Sequence, residues 1–264
     1  MTALPPATCR TSSAIPIPMP RPLSSRFLPL VACALAIVPF ASSGTRAIAA
    51  PASQAVPQEA TGPALTADER AALLSRLDAL KAKHPSLSAN FSEERSSHLL
   101  KQPVVSKGTI AFQSPNKFRR ELTGSSPSLT ISNGKVLWLY YPNFKEAELY
   151  TLGQRAMFDD AMAALTAGLN FGQVEKYYKL EAYNLGGKGY RVVLTPKKSN
   201  LKRIVQQLVV FLDPDLNVNE TTLTLPKGDR VLTHYSDSNR KDLSASTFEF
   251  TPPKDANISR PLGK

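Results

Sequence analysis

The chain has 264 residues, a formal net charge of +11 at pH 7 and two cysteines, Cys9 and Cys33. Both cysteines lie in the first fifty residues, so a chain processed after that segment has no disulfide, no thiolate nucleophile and no Cys-ligated metal site. Its stability must then come from a hydrophobic core, and the length suits a single domain that can bury one.

Residues 1–49 predict a secretory signal peptide. They contain four arginines and no acidic residue, an apolar run from Phe27 to Phe40, and an Ala-Ile-Ala site at 47–49. This order is typical of a cleaved leader, and the run is shorter than the ~20 residues that a membrane helix needs. We expect cleavage after Ala49, which leaves 28 basic and 21 acidic side chains and a formal charge of about +7.

A competing hypothesis concerns Cys33. Residues 30–33 read Leu-Val-Ala-Cys, the form of a bacterial lipobox whose Cys would be lipidated and would anchor the protein to a membrane. The apolar run, however, continues past Cys33 to Phe40, whereas a lipobox ends the hydrophobic core. We therefore favour the cleaved, soluble form in an extracytoplasmic compartment.

After the leader, residues 50–64 are rich in Ala and Pro and predict a flexible segment, and residues 65–264 predict one domain. Thr66 and Glu69 form a capping box, leucines follow at helical spacing, and Pro85 ends this first helix. A second helix is predicted over residues 154–169 from the spacing of Met157, Phe158, Ala161, Met162 and Leu165.

Between and after these helices the apolar period is two, which indicates strands. The period begins at Leu87 and includes Ile110 and Phe112, and Asn133-Gly134 predicts a hairpin. Later strands are predicted over residues 128–132, 135–141, 146–152, 175–183, 190–195, 204–212, 218–225, 231–236 and 245–251. The pattern predicts an α+β fold: a single strongly curved antiparallel sheet, or incomplete β-barrel, whose concave face is covered by helices as a lid.

The residues of catalysis are poorly represented. His84, His98 and His234 have no ligand-like spacing, and no G-x-S-x-G elbow, P-loop or dinucleotide fingerprint occurs. Adjacent carboxylates at 93–94 and 159–160 point apart or lie on a helix surface, so we interpret them as solvated. We expect no enzymatic activity, no cofactor and no metal.

Two basic clusters lie at residues 119–120 and at 197–203. Aromatic residues are not interleaved with the positive charges, as stacking on bases would require, so nucleic acid is not the expected partner. Anionic lipid headgroups or an acidic protein partner suit these clusters better.

A group of bulky apolar residues is the main candidate for binding. Two interpretations stay open: these side chains form an ordinary core, or they line an apolar cavity between sheet and helices that takes a lipid. The candidate lipid-binding residues are Phe91, Ile110, Phe112, Phe118, Ile131, Trp138, Tyr140, Met157, Phe158 and Met162.

Several short motifs, in order, resemble the bacterial periplasmic lipoprotein carrier family LolA. The resemblance covers roughly Leu65 to Pro253. The motifs are Phe91-Ser92-Glu93, Gly108-x-Ile110-x-Phe112, Pro115-Asn116-Lys117-Phe118-Arg119, Ile131-Ser132-Asn133-Gly134-Lys135-x-Leu137-Trp138-x-Tyr140, Leu194-Thr195-Pro196-Lys197, Asp213-Pro214-x-Leu216 and Phe250-Thr251-Pro252-Pro253.

The resemblance implies an incomplete barrel of about eleven strands with a helical lid. Its apolar cavity would receive the acyl chains of lipoproteins from an inner-membrane transporter and pass them to an outer-membrane receptor, as a periplasmic monomer without cofactor. It also implies a functional role for Phe118. Ser114 stands where family members have an Arg that gates the lid. A paralogue for another acylated molecule and a lipid-anchored outer-membrane receptor of this fold are the alternatives.

Overall fold

The computed structural model describes residues 62–153, 166, 171 and 174–261. One helix, α1 (Ala67–Lys83), precedes a twelve-stranded sheet. The strands are β1 (Ser86–Ser96), β2 (Val104–Gln113), β3 (Lys117–Thr123), β4 (Ser128–Ser132), β5 (Val136–Tyr141), β6 (Glu146–Thr151), β7 (Tyr178–Asn184), β8 (Tyr190–Pro196), β9 (Gln207–Leu212), β10 (Val218–Thr224), β11 (Arg230–Asn239) and β12 (Asn257–Ser259).

The sheet is open. Its spatial order is β12-β6-β5-β4-β3-β2-β1-β11-β10-β9-β8-β7, so β12 and β7 are the edge strands. Every neighbouring pair is antiparallel except β12 and β6, which are parallel. The predicted antiparallel, incomplete barrel is therefore confirmed, with twelve strands instead of about eleven.

The predicted first helix is confirmed and has the expected cap. The Thr66 hydroxyl accepts a hydrogen bond from the Glu69 N–H at 3.3 Å, and the Glu69 carboxylate accepts one from the Thr66 N–H at 2.8 Å. Both bonds satisfy donors that the first turn leaves unpaired. Leu73 and Leu77 of α1 are buried against the sheet, so this helix covers part of one face.

The hairpin predicted at Asn133-Gly134 joins β4 and β5. Ser132 pairs with Leu137, so the loop has four residues and is not a two-residue turn. The Asn133 side chain accepts hydrogen bonds from the N–H groups of Lys135 and Val136 at 3.0 and 3.1 Å. Gly134 has a φ of 91°, which a glycine adopts without strain.

Other boundaries differ from the prediction. Residues 174–177 and 199–202 are single helical turns, so β7 begins at Tyr178 and β9 at Gln207. The strand predicted over 245–251 is wrong: Ala245–Phe248 is a 3-10 turn, because Phe248 is buried against other strands and pairs with none. The strands β3 and β12 were not predicted. The leader and, apart from residue 166, the helix predicted over 154–169 lie outside the described residues.

The face of the sheet that α1 contacts, here called the inner face, carries two apolar clusters. The helix cluster joins α1 to β7–β10 and includes Leu73, Leu77, Tyr178, Leu180, Ala182, Val192, Leu194, Leu208, Val210 and Leu212. The strand cluster joins β1, β2, β3, β5 and β6 and comprises Ala89, Phe91, Ile110, Phe112, Phe118, Leu122, Leu137, Leu139 and Tyr150. Tyr235 of β11 packs against both clusters.

The opposite, outer face is partly covered by the segment that follows β11. Phe248 is 1% exposed, and Lys117 of β3 lies over its ring. The Phe250 ring lies 6.0 Å from that of Trp138 and 5.4 Å from that of Tyr140, centroid to centroid. The segment then supplies β12, which pairs with β6. The outer face of β3–β5 is therefore a second packed layer.

Gly108 of β2 is expected to be intolerant of any side chain. A Cβ atom there would lie 2.0 Å from the Glu121 carbonyl oxygen and 2.7 Å from the Phe91 ring. We expect Gly108→Ala to lower the free energy of unfolding by about 1–3 kcal/mol, as overpacking does. Urea denaturation measures the loss. Gly124→Ala is not a suitable control, because alanine is strained at the φ of 107° that Gly124 adopts. Gly187→Ala is the control: a Cβ atom there lies in open space, so the free energy of unfolding should change little.

Candidate functional site

Four of the predicted lipid-binding residues lie together on the inner face. Phe91, Ile110, Phe112 and Phe118 are all at most 6% exposed and belong to the strand cluster. Cross-strand pairing explains the grouping, since Phe112 lies opposite Phe118 in the β2–β3 ladder. The structure adds Leu122, Leu137, Leu139 and Tyr150, which the prediction missed although their strand periodicity placed them on one face.

Three other predicted residues lie on the outer face. Trp138 and Tyr140 alternate with the inward Leu137 and Leu139, and Ile131 pairs directly with Trp138. Successive strand side chains point to opposite faces, so neither aromatic residue can join the strand cluster. Both contact Phe250 instead. The structure thus does not bring these three residues to the inner face.

Met157, Phe158 and Met162, the remaining predicted residues, lie outside the described residues. Ser114, at the position of the family's gating Arg, directly follows β2. Its backbone N–H donates a hydrogen bond to the Pro85 carbonyl at 2.8 Å. The position therefore lies beside Pro85, at the junction of α1 and β1.

A buried ion pair lies on the inner face beside the strand cluster. Arg120 of β3 donates a hydrogen bond to the Glu93 carboxylate of β1, and both side chains are 10% exposed. The guanidinium also lies over the Phe91 ring, 4.4 Å from its centroid. Interpreting Glu93 as a solvated surface residue was wrong. The sequence pattern could have indicated this burial. Glu93 lies on the same face of β1 as Phe91, and Arg120 lies on the same face of β3 as Phe118.

Polar residues continue from this pair across the sheet. Thr233 of β11 pairs with Glu93, Thr221 of β10 pairs with Thr233, and both threonines are buried. The Thr221 hydroxyl and the Tyr235 hydroxyl share a hydrogen bond at 3.5 Å. Burial raises the pKa of the Tyr235 phenol, which therefore stays neutral. We call Arg120, Glu93, Thr233 and Thr221 the polar seam. It extends from Arg120, which pairs with Ile110 of the strand cluster, to Thr221 on β10.

Two cavities have very different sizes. On the inner side, a cavity of about 40 Å³ lies where α1 meets β1 and β2, lined in part by Leu77, Leu80, Ser86 and Phe112. Ligand pockets usually measure about 300–1,000 Å³, so this cavity is too small for an acyl chain. A cavity of about 370 Å³ lies on the outer side, beneath the segment after β11; its lining includes Ser88, Asn90, Thr109, Arg119, Asp237, Leu243 and Thr247.

The described residues contain no group of three or more His, Cys, Asp or Glu side chains arranged to hold a metal ion. His98 lies 3.4 Å from Asp229 and His234 lies 3.2 Å from Glu220, each as a single pair. Among the same residues, no helix has both the length and the hydrophobicity needed to cross a membrane.

Comparison with known proteins supplies the family. Residues 82–251 match the family described as outer membrane lipoprotein carrier protein LolA. The chain is 30% identical over 174 residues to the outer-membrane lipoprotein carrier protein of Dechloromonas aromatica, covering 65% of this chain and 80% of that protein. It is 28% identical over 193 residues to the protein of the same name from Pseudoalteromonas translucida, covering 73% and 87%.

Solved structures are more distant. An uncharacterised conserved protein of Thermus thermophilus superposes with a TM-score of 0.43 at 12% identity, over 72% of this chain and 99% of that one. A LolA superfamily protein of Nitrosomonas europaea gives 0.38 at 12% identity, over 68% and 97%. The match over residues 82–251 and the identity to the Dechloromonas protein show that the chain belongs to the LolA family of outer membrane lipoprotein carrier proteins.

Proposed function

We propose that this protein is a soluble periplasmic carrier that binds the acyl chains of lipoproteins on its inner face and moves them from the inner to the outer membrane. One observation supports this most: in a chain of the carrier family, four bulky residues from three adjacent strands form an apolar cluster on the face that α1 shares. They are Phe91, Ile110, Phe112 and Phe118.

Loading requires this face to open. The four residues are nearly fully buried, and the inner cavity beside them measures about 40 Å³. An acyl chain therefore enters only if covering elements separate from the strand cluster. The described cover is α1, whose Leu77 lines the same cavity as Phe112. In the described residues this face is closed, and apolar contacts within the protein stabilise that arrangement.

Closure of the inner face also explains how the carrier can release an acyl chain that it has bound. At ~0.8 kcal/mol per buried CH₂, fully enclosing a 16-carbon chain would contribute on the order of 12 kcal/mol, which would make transfer very slow. Opening the protein's own apolar clusters offsets part of this gain, because those contacts are lost when cargo enters. The polar seam lowers the net free energy of acyl-chain binding further, because methylene groups gain no hydrophobic stabilisation beside a buried ion pair.

The carrier has no chemical step in this proposal. An inner-membrane transporter releases the lipoprotein to the inner face, and an outer-membrane receptor accepts it. Directed transfer then needs only a higher affinity for the acyl chains at each successive protein. Residues 1–49 would act as the signal peptide that delivers the chain to the periplasm, and residues 65–264 as the carrier domain.

Photocrosslinking at two neighbouring residues tests the proposal. Tyr141 packs against the inner strand cluster, whereas Tyr140 contacts Phe250 on the outer face. A photoreactive phenylalanine analogue replaces either tyrosine with a similar change in size, so each site is the control for the other. In cells, we expect acylated lipoproteins to be crosslinked from position 141 and not from position 140. Equal crosslinking, or capture from 140 alone, would contradict binding on the inner face.

A second candidate cargo, another acylated amphiphile, is favoured by Ser114, which stands in place of the gating Arg. Native mass spectrometry of protein purified from its own cells identifies the molecule that remains bound. The same spectrum gives the N-terminus. A start at Ala50 supports the carrier, whereas a lipidated Cys33 would assign the chain to the anchored receptors.

A further inference from the structure

The alternation of strands gathers five connections at one end of the sheet. Neighbouring strands in the sheet run in opposite directions, apart from β12 and β6, so the β1–β2, β3–β4, β5–β6, β8–β9 and β10–β11 connections share an end. They comprise residues 97–103, 124–127, 142–145, 197–206 and 225–229, and we call this end the rim. The β2–β3, β4–β5, β7–β8 and β9–β10 connections lie at the opposite end, at residues 114–116, 133–135, 185–189 and 213–217.

The connections named above differ in charge between the two ends. The rim connections contain seven basic residues and one acidic residue, whereas those of the opposite end contain two of each. The rim residues are Lys101, Lys145, Lys197, Lys198, Lys202, Arg203, Lys227 and Asp229. These charges are spread over more than a hundred residues of sequence. The fold therefore gathers at the rim basic residues that are distant in sequence.

Exposed hydrophobic residues show the same asymmetry. The large apolar side chains most exposed to solvent in the described parts of the chain are Leu99, Leu100, Val104, Val105, Phe144 and Ile258. The first four lie on the tip of the β1–β2 hairpin, and Leu99 is 80% exposed. Phe144 lies in the β5–β6 connection, and Ile258 pairs with Ala147 near the start of β6. All six are at the rim or within two residues of a strand end there.

From this coincidence we infer that the rim docks onto the surface of an anionic phospholipid bilayer. Apolar side chains that enter the interface, together with Lys and Arg that attract acidic headgroups, are the two components of reversible membrane binding. The exposed apolar residues lie in two separate groups, four on the β1–β2 hairpin and the other two beside the start of β6. A lipid surface accommodates separated tips, whereas a protein partner requires one contiguous, closely packed patch.

Some rim charges have local contacts that substitutions would disturb. Lys197 donates a hydrogen bond to the Glu175 carbonyl at 2.5 Å, Lys198 lies over the Tyr177 ring, and Lys145 pairs with Asp255. Lys101 and Lys227 are exposed in different rim connections, so they suit a charge test. At the opposite end, Lys135 and Lys188 are also exposed and supply a control with an identical change of net charge.

Vesicle sedimentation tests the inference. The chain is purified from its cells in the form that they accumulate, with every variant in that same form. It is mixed with vesicles of equal parts phosphatidylglycerol and phosphatidylcholine, or of phosphatidylcholine alone. We expect salt-sensitive binding to the anionic vesicles only. Lys101→Glu with Lys227→Glu should weaken it about tenfold or more, and Lys135→Glu with Lys188→Glu much less.

Leu99→Ser with Leu100→Ser tests the apolar component at unchanged charge. We expect it to weaken binding to anionic vesicles about tenfold or more, with an unaltered unfolding midpoint, because both side chains are exposed. Absence of binding by the wild type, or equal losses for the two lysine pairs, overturns the inference. Equally tight, leucine-independent binding to immobilised polyglutamate would also overturn it, in favour of an acidic protein partner.

Discussion

Replacing Phe118 with alanine is expected to lower the free energy of unfolding by about 3–5 kcal/mol, the usual cost of truncating a buried phenylalanine. Phe118 is 1% exposed at the centre of the strand cluster. Phe118→Leu conserves more volume and should cost less than about 1.5 kcal/mol. Urea denaturation followed by circular dichroism measures both values. A charged substitution is unsuitable here, because a buried carboxylate would unfold the protein before it tested binding.

Phe248 supplies a matched control. It is equally buried, at 1% exposure, but it packs on the outer face. Phe248→Leu should reduce stability about as much as Phe118→Leu does. Only Phe118→Leu should weaken binding of a fluorescent fatty-acyl probe, because only Phe118 belongs to the inner cluster. Equal loss of probe affinity in both variants would show that the effect follows stability, and would remove Phe118 from the binding surface.

Breaking the Glu93–Arg120 ion pair is expected to lower the free energy of unfolding about as much as Phe118→Ala does. Glu93→Leu alone and Arg120→Met alone should each lower the free energy of unfolding by about 3–5 kcal/mol, because each leaves a buried charge without its partner. The double variant should lie close to the wild type or above it, since two apolar side chains of similar volume replace both charges. A double-mutant cycle measured by denaturation gives the coupling energy.

The outer face provides the comparison for this cycle. Arg119 and Glu121 form an ion pair at 2.8 Å on β3, with side chains 29% and 44% exposed. Replacing either residue should cost less than about 1 kcal/mol, because water screens the pair. We also expect the Glu93→Leu, Arg120→Met double variant to bind the acyl probe more tightly and release it more slowly. Unchanged probe affinity would show that the polar seam does not limit cargo binding.

The local elements could be predicted from the sequence because short-range chemistry determines them. The helix α1 follows from the Thr66–Glu69 cap, the leucine spacing and Pro85, all within twenty residues. The β4–β5 hairpin follows from Asn133-Gly134 in the same way. The strand prediction failed where the alternation of apolar residues does not coincide with strand pairing. Phe248 and Phe250 alternate as in a strand but pack on the outer face, and the short β12 exists only because β6 offers an open edge.

The tertiary structure determines which side of each strand faces inward. Both faces of β5 are apolar, because Phe250, more than a hundred residues later in the chain, covers the outer one. Alternation alone separates Leu137 and Leu139 from Trp138 and Tyr140 but cannot say which pair is inside. Glu93 shows the same limit, because a carboxylate looks solvated until Arg120 of β3 is placed beside it.

The sequence by itself determined the family, the helix, most of the strands and the total charge, since these depend on residue order and composition. Only the tertiary structure decided that Phe91, Ile110, Phe112 and Phe118 share one apolar cluster beside a polar seam. It also gathered the rim lysines, spread from Lys101 to Lys227, at one end of the sheet. The physical reason is the same in both cases: strand pairing brings together residues that are distant in sequence, and each strand's register decides which side chains meet.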